Sequence, residues 1–68
     1  TWDDLESTEA LSARLLKDGI THLIFFDESN ELYERAMPLA ADGELYSWTL
    51  YEVLPDGAGG VSLTEYYY

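Results

Sequence analysis

The sequence predicts an α/β (α+β) fold: two helices packed on a small three-stranded mixed sheet, in the order helix, strand, helix, strand, strand. Three observations predict it. A leucine-bearing stretch with helical spacing carries its own start and stop signals, and two β-branched and aromatic runs read as strands. A glycine-rich segment near the end then joins the second of these runs to a third. The 68 residues make one small acidic domain, residues 1–68, with fourteen acidic against three basic side chains and a formal charge of -11. Such a charge would suit a disordered chain, but 47% of the residues are hydrophobic and six are tyrosine, so there is enough to bury.

The first helix is expected from about Ser7 to Asp18. Ser7 can cap it, Glu9 lies in its first turn, and Arg14 and Lys17 lie near its end, where each charge suits the helix dipole. Leu11, Leu15 and Leu16 make its apolar stripe, and Gly19 is the left-handed stop. Ile20 to Phe26 follows as a strand whose second half is apolar on both faces, which predicts an interior strand covered on both sides. A second helix is expected from about Asn30 to Ala40, with Leu32, Ala36 and Leu39 or Ala40 buried and Pro38 ending the regular part near Met37.

Asp42-Gly43 is a turn signal, and Leu45 to Leu54 reads as one long strand. In it Tyr46, Trp48 and Leu50 point one way, and Leu45, Ser47, Thr49, Tyr51 and Val53 the other. Pro55 to Gly60 is a hairpin loop, and Val61 to Tyr67 the third strand. The strand-helix-strand passage from Ile20 to Val53 is expected to be a right-handed parallel crossover. The core should centre on Leu11, Leu15, Leu23, Phe25, Leu32, Ala36, Trp48 or Tyr51, and Leu63.

Composition bounds the function. A chain this acidic has no basic footprint for nucleic acid, and its charge argues against docking on anionic lipid. No apolar run approaches the roughly 20 residues of a membrane-spanning helix. There is no cysteine and a single histidine, so neither a disulfide nor a thiolate metal site is available. The acidic opening Thr1-Trp2-Asp3-Asp4 lacks the pattern of a signal peptide, and a start at threonine suggests a trimmed domain or a processed product.

No catalytic constellation stands out, and no enzyme, cofactor or metal is expected. Asp27, just beyond an apolar strand, is where a phosphotransfer aspartate would sit, but Ser29 occupies the position that needs a second aspartate. A helix cap is the better reading of Asp27-Glu28-Ser29-Asn30. His22 has no nucleophile to serve and reads as a core or sheet-edge residue. The loop from Asp56 to Gly60 lacks the lysine and spacing of a phosphate loop. Tyr46, Trp48, Tyr66 and Tyr67 are the candidate contact residues. Cross-strand packing comes first for them, and then contact with a sugar ring or a basic partner protein.

Leu15-Leu16-Lys17-Asp18-Gly19 followed by Ile20-Thr21-His22-Leu23-Ile24 resembles a phrase in the soluble C-terminal segment of multi-span membrane glycosyltransferases of the protein-mannosyltransferase class. Leu50-Tyr51-Glu52-Val53 is similar to the closing strand of that segment, with glutamate where a basic residue is common. The likeness covers about half the chain, and no position here matches that family's catalytic acid. It implies a non-catalytic accessory domain on the extracytoplasmic face of a membrane, beside the membrane domain of a parent enzyme. The alternative is a freestanding acidic interaction protein, such as an inhibitor, an antitoxin or a nucleic-acid mimic, covering a basic site on a partner.

Overall fold

The computed structural model describes residues 2–66. After a 3-10 turn at Trp2–Asp4 come α1 (Thr8–Lys17), β1 (His22–Ile24), α2 (Glu31–Ala36), a second 3-10 turn (Met37–Leu39), β2 (Leu50–Pro55) and β3 (Val61–Glu65). The class is α+β, two helices on a three-stranded sheet, and the sheet is antiparallel throughout. Its order is β1-β2-β3.

Local chemistry explains α1. The Ser7 hydroxyl accepts the Ala10 N–H at 3.0 Å, Glu9 sits in the first turn, and Arg14 and Lys17 sit in the last. Gly19 follows at φ 67°, where a side chain would be strained. Asn30 caps α2 by accepting the Leu32 N–H at 2.8 Å. Pro38 then tightens the chain into the 3-10 turn, so α2 has only six residues. Its buried residues are Tyr33 and Ala36, with Ala40 buried just beyond, whereas the expected Leu32 and Leu39 are partly buried.

The expected parallel crossover does not form. β1 pairs antiparallel with β2 in the register His22↔Glu52, Leu23↔Tyr51, Ile24↔Leu50. The reason lies beyond Pro38. Ala40 bridges Leu63 in parallel, and the Ala41 N–H donates to the Leu63 carbonyl at 2.8 Å. The chain there runs in the direction of β3, which is also that of β1, so residues 42–49 must turn it round before β2 begins.

β1 is therefore an edge strand, not the covered interior strand the apolar run suggests. Leu23 and Phe25 are partly buried on the helix side, while Ile24 and Phe26 are exposed. The long strand expected from Leu45 also shortens, because residues 45–49 are aperiodic and Trp48 has φ 60°. β3 stops at Glu65, although the Tyr66 N–H still donates to the Leu50 carbonyl at 2.9 Å. Tyr67 lies outside the described residues.

Both helices lie on one face of the sheet, and the core fills the space between. Leu11, Leu15, Tyr33, Ala36, Ala40, Leu45, Tyr51, Val53, Val61 and Leu63 are buried there. Of the expected core, Trp48 is the clear exception: it is exposed, and Tyr51 takes the inward place. Buried Ser12 of α1 accepts the Val61 N–H at 2.8 Å and so ties the helix to the start of β3. Gly60 makes this possible, since a Cβ there would stand 2.5 Å from the Ser12 hydroxyl oxygen. Gly60→Ala is expected to destabilise the domain by about 1–3 kcal/mol, because Ser12 can make room only by releasing a buried N–H. Urea unfolding of the variant checks this.

Candidate functional site

Among the described residues, no helix covers the sheet's second face. Because β2 turns Tyr51 and Val53 inward, Leu50, Glu52 and Leu54 face away from the helices, and their β1 neighbours across the ladder are Ile24 and His22. Ile24, Leu54 and Tyr66 are all exposed large hydrophobic residues. At the end of β1 stand the two most exposed aromatics among the described residues, Phe26 at 59% and Trp48 at 71% of full exposure. Their rings meet edge to face with centroids 4.7 Å apart.

Three contacts place Trp48. Its N–H donates to the Phe25 carbonyl at 2.7 Å, which carries the β1 ladder past Ile24. The preceding Ser47 hydroxyl donates to Glu28 at 2.5 Å. Phe25 itself turns inward and packs edge-on against Tyr33, which leaves Phe26 outside to meet the indole. A left-handed φ on a bulky residue costs about 1–3 kcal/mol. The fold thus spends conformational energy to hold a large indole in water.

The candidate contact residues do not form one cluster. Tyr46, half exposed, donates its hydroxyl to Glu44, and that bond with the negative charge pushes the phenol up to about 12. Tyr66 stands edge-on to His22 with ring centroids 5.1 Å apart. Trp48 pairs instead with Phe26, a residue that sequence reasoning assigned to a covered strand. The signal that could have found it is the doublet Phe25-Phe26 on a strand, where successive side chains must take opposite faces.

The other candidates take structural roles. Asp27 accepts both the N–H and the hydroxyl of Ser29, at 2.9 and 2.6 Å, and these bonds hold its carboxyl below the usual range. It closes a turn, and Asn30 does the capping. Asp56 accepts the Ala58 and Gly60 N–H groups at 2.8 and 3.1 Å, which lowers its pKa too and closes the hairpin loop. His22 is exposed on the edge strand, with Nδ1 3.0 Å from the Thr21 hydroxyl. Among the described residues no group of three or more histidine or carboxylate side chains is placed to hold a metal ion.

Charge divides between the layers. Arg14, Lys17 and Arg35 are the chain's only Lys and Arg residues, and all three are on the helices. Arg14 pairs with Asp18 at 2.6 Å and lies 5.0 Å over the Trp2 ring, while Arg35 pairs with Glu31 at 3.3 Å. The sheet and its loops carry Asp27, Glu28, Asp42, Glu44, Glu52, Asp56 and Glu65 with no Lys or Arg among them. Exposed pairs of this kind are worth at most about 1 kcal/mol, so self-repulsion outweighs them. The melting temperature is expected to rise as sodium chloride is added, because ions screen charges beyond about 8–10 Å. Melts across a salt series check this, and a falling melting temperature would mean that the helix pairs dominate.

No helix of the described residues is long and apolar enough to cross a membrane. No protein family, no curated protein and no solved structure matches this chain.

Proposed function

We propose that this chain is a non-catalytic docking domain, and that it serves as the extracytoplasmic accessory domain of a multi-span membrane glycosyltransferase. The observation that carries the docking reading is the Phe26–Trp48 pair, held in solvent by a left-handed backbone at Trp48 and flanked by an uncovered sheet face. Strained, exposed aromatic anchors suit burial against another molecule. The accessory reading draws support from how the two resembling phrases sit. Thr21-His22-Leu23-Ile24 and Leu50-Tyr51-Glu52-Val53 are paired strands, with the Val53 N–H donating to the Thr21 carbonyl at 2.7 Å. The likeness therefore falls on one contiguous piece of the fold, not on scattered fragments.

A freestanding acidic interaction protein is the second reading, favoured by the confinement of every Lys and Arg to the helix layer. An antiserum raised against the domain separates the two in extracts of the source organism. The accessory reading expects a band far larger than 7.7 kDa that stays with membranes after alkaline carbonate washing. A carbonate-soluble band near 7.7 kDa would sink it and leave the freestanding protein.

A further inference from the structure

We propose that the β1 edge and the Phe26–Trp48 corner form a strand-addition site for an extended, arginine-bearing polypeptide segment. The proposal rests on the docking reading and names what docks, where, and by which bonds.

The backbone comes first. In an antiparallel ladder, alternate residues of a strand direct their N–H and C=O groups to opposite sides. The Val53 N–H donates to the Thr21 carbonyl, and Leu23 faces Tyr51, so the odd residues of β1 bond to β2. His22 and Ile24 then direct their backbone groups outward, to the side where the sheet order places no strand. The other edge differs, because Ala40 and Ala41 already bond to β3 at Leu63. β1 is thus the edge left open. Its three residues make it short, but it is free of the proline and lysine that commonly blunt an edge.

The side chains come second. A strand laid along the open side of β1 would run past Phe26, whose ring meets the exposed Trp48 indole on the β2 side. An arginine side chain reaching over that ring would find in the indole a good platform for its guanidinium. Glu28 is fixed close by through Ser47, Asp27 follows Phe26, and Glu52 lies opposite His22 on β2. No Lys or Arg of this chain competes from the sheet layer. A second copy of the chain is a poor occupant, since each copy brings a formal charge of -11. Charge complementarity instead selects a cationic segment, and arginine over lysine because its planar group stacks on an indole.

The test is an amide-resolved NMR titration of the domain with a short synthetic peptide that alternates arginine with valine and threonine. The expected result is slowed amide exchange at His22 and Ile24, together with a shift of the Trp48 indole signal. The same peptide N-methylated on alternate residues cannot form the ladder, and should bind at least about tenfold more weakly. Replacing each arginine by glutamine should weaken binding by a similar factor, and so should raising sodium chloride from about 50 to 300 mM.

Trp48→Gly is the informative variant. It keeps the left-handed backbone without strain and so should stay folded, yet binding should fall at least about tenfold. Equal binding by the N-methylated peptide would overturn strand addition. Shifts confined to the acidic helix residues, or unchanged binding by Trp48→Gly, would overturn the site. The carbonate extraction reads what the domain is attached to and this titration reads where it binds, so each can fail alone.

Discussion

Leu63→Ala is expected to cost about 2–5 kcal/mol and to leave the domain largely unfolded. A chain of this length has only about 3–10 kcal/mol of stability in all. Leu63 and Leu45 are the largest fully buried side chains among the described residues. Leu63 stands on β3 under the helix layer, opposite Val53, and its backbone also receives the strand-like bridge from Ala40. Removing it opens a cavity where the sheet, α1 and the second 3-10 turn meet. Leu23→Ala should cost much less, about 1–2 kcal/mol, because Leu23 is only partly buried on an edge strand. Urea unfolding of the two variants side by side is the measurement. Equal losses would mean that β1 lies inside the sheet.

That contrast marks where the sequence could be read and where it could not. The first helix was legible because its signals are local: a serine cap, charges matched to the dipole and a glycine at the left-handed stop. The loop at Asp56 was legible for the same reason, since one carboxylate closes it through two nearby N–H groups. Strand position was not legible. The run from Leu23 to Phe26 is apolar on both faces, and both a doubly covered strand and a strand with one sticky face read that way. Choosing between them needs the path of residues 40–49. That path is set by a bridge between Ala40 and Leu63, two residues far apart in the chain with no pattern linking them.

The candidate surface shows the same limit. Trp48 was singled out for contact, but its partner Phe26 was assigned to the interior along with β1. The alternation of Leu45 to Leu54 also suggested a continuous strand, which hid the left-handed residue in its middle. Alternation describes which side chains share a face only while the backbone stays extended. At Trp48 it does not.

Tyr33→Phe and Tyr51→Phe are each expected to destabilise the domain by about 1–3 kcal/mol, because each leaves a buried or half-buried backbone group without its partner. The Tyr33 hydroxyl donates to the Leu45 carbonyl, and the Tyr51 hydroxyl accepts the Tyr46 N–H at 2.7 Å. These two phenols, with the Met37 sulfur that accepts the Leu45 N–H at 3.2 Å, tie down the aperiodic segment that leads to Trp48. The two substitutions act on neighbouring residues of one segment, so their costs should not add, and a double-mutant cycle measures the coupling.

The same phenols set the alkaline limit of the fold. Burial, aided by the charge of Glu28, raises Tyr33 above the ordinary phenol value of 10.0, and burial raises Tyr51 despite the bond from Tyr46. A raised phenol binds its proton more tightly in the folded state than in the unfolded one. Its contribution is therefore whole below pH 10.0 and is lost as pH rises through the higher folded value. Tyr46, at about 12, adds to the same loss. Melting temperature should fall steeply between about pH 10 and pH 12, and Tyr33→Phe should make that fall shallower while lowering stability at neutral pH. An alkaline limb as steep in Tyr33→Phe as in the parent would show that this phenol does not hold the Trp48 segment through its proton.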